Sequence, residues 1–178
     1  MFGIRFDLRN PEIAGTSMAE RYAAAVDMAE WADGLGCVFL GLSEHHGSAD
    51  GYLPSPLTMA AAMAARTANV RINIVAIVAP FHDPLRLAED IAVLDHLSGG
   101  RITYTLGLGY RREEYDLYGV AWETRGRDLE ERITRMLDAW ATGAVTPGPF
   151  SQPHPMLFYG GGSLAAAKRA ARLGLHFQ

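Results

Sequence analysis

The sequence has one cysteine, no strongly basic segment and no apolar run long enough for a membrane helix. Cys37 has no partner for a disulfide within the chain, and its apolar surroundings predict a small buried side chain. The chain carries 16 Lys and Arg against 20 Asp and Glu, a net charge of −4, which excludes the electrostatic footprint of a nucleic-acid or anionic-membrane binder. The segment Met1–Pro11 is charged and lacks the apolar core of a signal peptide, so we expect a soluble, cytoplasmic protein.

Several signatures of catalytic sites are also missing. The sequence contains no Cys/His spacing typical of a metal site, no G-x-S-x-G nucleophile elbow and no phosphate-binding P-loop, so we predict no metal. The composition, with 49% hydrophobic and 20% charged residues, is that of a globular protein that can build a core. The length of 178 residues suits a single domain that covers residues 1–178.

Short apolar segments alternate with longer amphipathic segments, which is typical of an α/β fold with a parallel sheet. The predicted strands are Gly3–Leu8, Cys37–Leu42, Val70–Ala79, Arg101–Leu108 and Met156–Tyr159. The predicted helices follow Ser17, cover Pro56–Thr67, follow Asp83, cover Arg112–Tyr118 and Arg125–Trp140, and follow Ser163. Together they make about five βα units. This number fits either a partial (β/α)8 TIM barrel or a doubly wound open sheet, and periodicity alone does not distinguish the two folds.

Local signals mark the starts of three helices. Ser17 and Glu20 form a capping-box pattern, and Asp83 is a candidate N-cap directly before a proline at the first helical position. Ser163 follows three glycines and is a candidate N-cap as well. Because a helix N-terminus presents unpaired N–H groups, the segment Gly160–Ser163 is also a candidate phosphate site, and the sequence leaves both interpretations open.

Two further clusters follow predicted strands, where parallel α/β folds place their sites. The first is Ser43-Glu44-His45-His46, in which one histidine can face the site as a proton donor or acceptor. Adjacent residues of an extended chain point to opposite faces, so the pair does not predict chelation of one metal, and a polar loop with two satisfied histidines is the alternative.

The second cluster is Gly107–Tyr115, whose glycines would let a flat ring or a phosphate approach the backbone. A tight turn with solvated charges is the alternative there.

The order of these motifs resembles that of the luciferase-like monooxygenases. The sequence has E-H-H after the second strand and P-F-H-D-P-L-R-L-A-E-D-I-A-V-L-D-H-L-S-G-G-R after the third. It has G-L-G-Y-R-R-E-E-Y-D-L-Y-G-V after the fourth strand and G-G-G-S after the fifth. The resemblance covers essentially the whole chain. It implies a (β/α)8 barrel that uses reduced FMN or, in some branches, a deazaflavin coenzyme.

The resemblance also implies roles for individual residues. His45 matches the catalytic histidine, which handles protons around the flavin. The positions that match flavin-contacting residues are Val75, Ala76, Gly107, Leu108, Gly109, Tyr110, Glu114, Gly162 and Ser163. Among these, Val75 and Ala76 match a non-proline cis peptide bond, and Gly162 and Ser163 match the phosphate-binding turn. The implied partners are a small organic substrate, O2 and a flavin reductase, and we expect a homo-oligomer.

The sequence departs from the family pattern in two ways. The resemblance implies a sixth strand where the chain stops at Gln178 and three βα units that are absent, so we expect a truncated barrel whose C-terminal units are missing. The segment between Trp140 and Met156 is also shorter than the substrate-covering insertion that the resemblance implies. We therefore keep two alternatives to a monooxygenase, a deazaflavin-dependent hydride transferase and an inactive half-barrel scaffold.

Overall fold

The structure, a computed structural model that describes residues 1–178, contains one parallel sheet of six strands. The strands are β1 (Gly3–Phe6), β2 (Phe39–Leu42), β3 (Arg71–Val78), β4 (Ile102–Gly107), β5 (Leu157–Tyr159) and β6 (His176–Phe177). The helices are α1 (Met18–Gly34), α2 (Pro56–Arg66), α3 (Pro84–Ser98), α4 (Arg112–Tyr118), α5 (Arg125–Ala141) and α6 (Leu164–Leu173). Two single 3-10 turns, Glu12–Ala14 and Ala79–Phe81, complete the regular structure.

The predicted helix caps are present. The Ser17 hydroxyl accepts a hydrogen bond from the Glu20 N–H at 3.2 Å, and the Glu20 carboxylate accepts one from the Ser17 N–H at 2.7 Å. The Asp83 carboxylate accepts from the N–H groups of Leu85 and Arg86. Each bond satisfies an N–H that has no partner inside its helix, which is why these residues determine where α1 and α3 begin.

The strands lie in the order β1-β2-β3-β4-β5-β6, and every neighbouring pair is parallel. This order excludes the doubly wound alternative, in which the strand order reverses at a switch point. The count of five βα units is correct, but a sixth strand follows them, since β6 pairs with β5 through Phe158 and His176. A strand of two residues is too short to show a period of two, so the sequence pattern did not reveal it.

Only one face of the sheet is covered by helices. Along β3, Ile72 and Ile74 are buried, whereas Arg71 and Val75 on the other face are exposed. A doubly wound sheet would bury both faces. The covered face packs into a single core whose largest fully buried side chains include Tyr104, Tyr159, Met63, Ile91 and Leu106.

The observed strands β1 to β5 are shorter than predicted by one or two residues at one end or by one residue at both ends. β1, for example, ends at Phe6 because Leu8 has a φ of 58°, which no strand residue adopts. Cys37 is buried with 5% of its surface exposed, which confirms the prediction for the single cysteine. None of the helices combines the length and the apolar character that a membrane span requires.

Candidate active site

His45 lies three residues beyond the end of β2, at the edge of the sheet where the parallel strands end. Its backbone N–H donates to the Leu53 carbonyl at 3.1 Å, and the Leu53 N–H donates to the Asp7 carbonyl at 3.3 Å. These two bonds fix the loop after β2 against the segment that follows β1. The backbone at His45 is therefore held in place through Leu53, which is bonded both to His45 and to Asp7.

The imidazole of His45 is held between a carboxylate and a phenol. Its Nδ1 donates to Oε1 of Glu114 at 2.9 Å, because an ionised carboxylate only accepts hydrogen bonds. In the neutral ring Nε2 is then an acceptor, and the Tyr110 hydroxyl lies 3.3 Å from it. Tyr52 packs edge-on against the same ring, with 4.6 Å between the ring centroids. Tyr110 is 75% exposed, so this cluster opens to solvent on the side of Tyr110.

Glu114, in the first turn of α4, has only 1% of its side chain exposed. Its Oε1 accepts from His45 and also from the backbone N–H of His46 at 3.0 Å. Its other oxygen, Oε2, is buried and has no hydrogen-bond partner in the chain. Buried polar atoms are nearly always satisfied, so Oε2 marks a place where a donor from outside the chain would fit.

Glu44 is a second buried carboxylate, which the sequence analysis did not select although it belongs to the E-H-H motif. Its Oε1 accepts from Nε2 of His46 at 2.7 Å and from Nε2 of His82 at 2.9 Å. Its Oε2 accepts from the Val78 N–H at 2.8 Å, which ties the end of β2 to the end of β3. Burial alone would raise the pKa of Glu44, but the hydrogen bonds from His46, His82 and Val78 and the charge of His82 hold the pKa below its usual value.

Gly107 ends β4 beside an irregular position in β3. The ladder pairs Val75 with Thr105 and Ile77 with Leu106, so Ala76 is left out of the register. The peptide bond between Val75 and Ala76 is cis, as the resemblance implied. A Cβ atom at Gly107 would lie 3.0 Å from the Cβ of Ala76, which is tighter than almost all real contacts, so glycine suits this close approach.

The turn after β4 is also built on close contacts. Gly109 has a φ of 71°, and a Cβ atom there would lie 2.9 Å from Cγ1 of Val78. The Leu108 carbonyl accepts a hydrogen bond from the Tyr115 hydroxyl, and burial raises the pKa of Tyr115 to about 12. That hydroxyl therefore stays protonated and remains a donor at neutral pH.

The predicted phosphate turn, Gly160–Ser163, follows β5 at the same edge of the sheet. The Gly160 N–H donates to the Leu106 carbonyl at 2.9 Å, so this turn adjoins the end of β4. The Ser163 hydroxyl accepts from the Ala166 N–H at 3.2 Å and is the N-cap of α6. A Cβ atom at Gly162 would meet nothing within 4 Å, so the backbone of this turn is uncovered.

The predicted site residues thus share one edge of the sheet but not an enclosed cavity. His45 contacts both Tyr110 and Glu114, and the turns at Gly107 and Ser163 follow β4 and β5. Of the five main cavities, none is lined by any of His45, Gly107 and Ser163. An open cavity of about 500 Å³ beyond β1 is lined by Arg5, Asp7, Arg9 and Tyr52.

The two arginines of the Gly107–Tyr115 cluster, which could otherwise pair with a phosphate, face carboxylates. Nη1 of Arg111 lies 3.5 Å from Oε1 of Glu114, and Nη2 of Arg112 lies 3.5 Å from Oε1 of Glu123. Both pairs are local to α4 and the loop that follows it. The phosphate interpretation of this edge therefore depends on the turn at Gly162 and Ser163.

Comparison with known proteins points to one family. A family model described as luciferase-like monooxygenase matches residues 1–178. The 4-hydroxyprotoasukamycin monooxygenase of Streptomyces nodosus subsp. asukaensis is 34% identical over 106 residues, 59% of this chain and 29% of that protein. The FMNH2-dependent dimethylsulfone monooxygenase of Pseudomonas putida is 28% identical over 134 residues, 66% of this chain and 37% of that protein.

A solved structure agrees with these matches. The crystal structure of the monooxygenase RslO1 from Streptomyces bottropensis superposes with a TM-score of 0.88 and 29% sequence identity. That alignment covers 99% of this chain and 58% of the RslO1 chain. The chain therefore spans less than two thirds of the length of the proteins it matches.

Proposed function

Because the chain belongs to the luciferase-like monooxygenase family, we propose that it forms part of a flavin-dependent monooxygenase that acts on a small organic substrate. Reduced FMN would supply two electrons, with which one atom of O2 enters the substrate and the other leaves as water. The parallel six-stranded sheet in sequential order is then the first part of a (β/α)8 barrel.

The cluster of His45, Tyr110 and Glu114 is the observation that carries this proposal. Glu114 accepts from Nδ1 of His45 and so directs the other ring nitrogen toward Tyr110 and the open edge. An imidazole oriented in this way by a carboxylate can take up or release a proton at Nε2. We assign that task to His45.

Two features of the structure fit a flavin at this edge. A Cβ atom at Gly162 would meet nothing within 4 Å, so the turn after β5 leaves its backbone uncovered there, and Oε2 of Glu114 lacks a donor. The residues that would hold the ring are Val75, Ala76, Gly107, Leu108, Gly109, Tyr110 and Glu114. Gly162 and Ser163 would hold the phosphate, because the N-terminus of α6 offers unpaired N–H groups.

The partners belong to the same proposal. The dimethylsulfone monooxygenase relative depends on FMNH2, which supports a separate flavin reductase as the source of reduced FMN. A homo-oligomer and a cytoplasmic location are part of the proposal as well. The substrate is a small organic molecule that would meet O2 at the open edge of the sheet.

Flavin binding tests the proposal directly. We would titrate the chain with FMN and with a deazaflavin coenzyme and follow quenching of the ring fluorescence, which should occur with FMN. Quenching by the deazaflavin alone would favour the hydride transferase. Quenching by neither, together with no flavin-dependent O2 consumption, would favour the inactive scaffold.

Two glycine variants make this titration specific for the phosphate turn. Gly162→Val should weaken FMN binding by at least about tenfold, since it covers the backbone that is meant to hold the phosphate, and tenfold corresponds to about 1.4 kcal/mol. Gly148→Val is the matched control, because a Cβ atom at Gly148 also meets nothing within 4 Å, and the Gly148 carbonyl contacts His96 in the last turn of α3. Equal affinities of the two variants would contradict the assignment of the turn.

A further inference from the structure

Glu44 and His46 form a buried polar pair that the proposed reaction does not use. The Glu44 side chain has no exposed surface and the His46 side chain has 6%, although both residues lie directly beside His45 in the chain. Burying a carboxylate and an imidazole costs free energy unless every polar atom finds a partner. The arrangement of those partners shows what the pair does.

The hydrogen bonds of Glu44 determine which nitrogen of His46 carries the proton. An ionised carboxylate only accepts, so Nε2 of His46 must donate to it across the 2.7 Å contact. In the neutral ring Nδ1 is then an acceptor, and the Tyr118 hydroxyl lies 2.9 Å from it as the donor. The His46 ring is therefore held at both nitrogens in a single tautomer.

The backbone of His46 is linked to the His45 side chain through Glu114. The His46 N–H donates to Oε1 of Glu114 at 3.0 Å, and the same oxygen accepts from Nδ1 of His45 at 2.9 Å. A rotation of the His46 peptide would remove one of the donors that hold Oε1, which also accepts from Nη1 of Arg111 at 3.5 Å. Glu44 is also bonded to the Val78 N–H and to His82, so it is anchored to β3 rather than to its own loop alone.

We propose that Glu44 is a positioning residue that keeps His46 in the Nε2–H tautomer and thereby holds the His45–Glu114 pair in place. An effect of Glu44 on catalysis rests on the proposed function of His45. The positioning itself is a property of the protein without any flavin. The two claims can therefore fail separately.

Glu44→Gln changes the donors and acceptors with little change in shape. A glutamine has one acceptor oxygen and one NH2 group, so it cannot accept from both imidazoles and from the Val78 N–H. If its oxygen faces the imidazoles, its NH2 group opposes the Val78 N–H. If the amide is reversed, its NH2 group faces Nε2 of His46, whose proton must then move to Nδ1. Either arrangement disturbs the ring of His46 or the strand that anchors it.

Nitrogen NMR of uniformly 15N-labelled protein tests the proposal, because the 15N shifts of an imidazole distinguish its two tautomers. In the wild-type chain we expect His46 in the Nε2–H tautomer at neutral pH. In Glu44→Gln we expect displaced ring signals for both His46 and His45, and loss of the Nε2–H tautomer of His46 if the amide is reversed. Glu113→Gln is the matched control, since Glu113 adjoins Glu114 but is exposed and outside this network. It should leave both histidines unchanged.

Tyr118→Phe keeps the test decisive if Glu44→Gln does not fold. This variant removes the donor at Nδ1 of His46 and leaves Glu44 intact, so the Nε2–H tautomer should persist. Three results would overturn the proposal. They are an Nδ1–H tautomer in the wild-type chain, loss of the Nε2–H tautomer in Tyr118→Phe, and wild-type signals of both His45 and His46 in a folded Glu44→Gln.

Discussion

The Nδ1 atom of His45 lies 2.9 Å from Oε1 of Glu114, although 69 positions separate the two residues in the chain. His45 follows β2, and Glu114 lies in the first turn of α4, which follows β4. The ends of parallel strands lie at the same edge of a sheet, so residues that follow two different strands can be in contact. The contact gives a buried carboxylate a charge-assisted donor and gives an imidazole a fixed orientation.

His45→Ala should affect both turnover and stability. In the flavin-loaded enzyme we expect turnover, measured as substrate-dependent O2 consumption, to fall by about 10²–10⁴-fold, the usual range for a lost general acid or base. The free energy of unfolding should fall by about 1–3 kcal/mol, because the buried Glu114 carboxylate loses its imidazole donor. Chemical denaturation measures the second effect without cofactor.

His96→Ala is the control for that variant. His96 lies in the last turn of α3, and its ring is bonded only to the Gly148 carbonyl at 3.0 Å. Its loss should change the stability by no more than about 0.5 kcal/mol, as is usual for exposed positions, and should leave turnover unchanged. A His45→Ala protein that loses stability yet retains the wild-type rate would show that His45 is only structural.

Gly109→Ala should destabilise the chain more than Gly119→Ala. Both glycines have a φ in the left-handed region, 71° and 65°, so an alanine at either costs about 1–2 kcal/mol of backbone strain. A Cβ atom at Gly109 would also lie 2.9 Å from Cγ1 of Val78, whereas one at Gly119 would meet nothing within 4 Å. The clash adds about 1–3 kcal/mol, so urea denaturation should separate the two variants. Equal midpoints and slopes would mean that the turn after β4 is not tightly packed.

Asp33→Ala should lower stability in a manner that depends on pH. Burial would raise the pKa of Asp33, but hydrogen bonds from the N–H groups of Ala68, Val70 and Asn69 and the charge of Arg101 hold it below its usual value. A carboxyl with a lowered folded-state pKa stabilises the protein above its unfolded pKa, about 3.9. That contribution is lost as the pH falls through the folded-state pKa.

At neutral pH we therefore expect Asp33→Ala to cost about 1–3 kcal/mol, and the cost should shrink in the acid range. Urea denaturation at a series of pH values measures this difference. Asp27→Ala, at a side chain that is 70% exposed and paired only with Arg66 at 3.4 Å, should show little loss at any pH. A loss in Asp33→Ala that stays constant down to the acid range would show that the carboxylate charge does not matter.

The sequence predicted those features of the fold that depend on neighbouring residues. The bounds of α4 agree with the prediction at both ends, and the Ser17 and Asp83 caps are present, because capping is chemistry within a few positions. The sequence pattern did not indicate β6, since two residues carry no periodicity, and only the resemblance implied a sixth strand there. Excluding the doubly wound sheet also needed the structure, because strand order is a relation between distant segments.

The candidate site shows the same division. The motifs after the strand ends contain the residue types that carry the chemistry, but the choice of His45 over His46 and the selection of Glu114 came from the resemblance to the family. The sequence could not show that Glu44 reaches His82 across 38 positions, or that His45 and His46 share one oxygen of Glu114. Local patterning determined the elements, their caps and the α/β class. Only the tertiary structure decided which side chains meet, because the parallel pairing of six strands brings their ends to one edge.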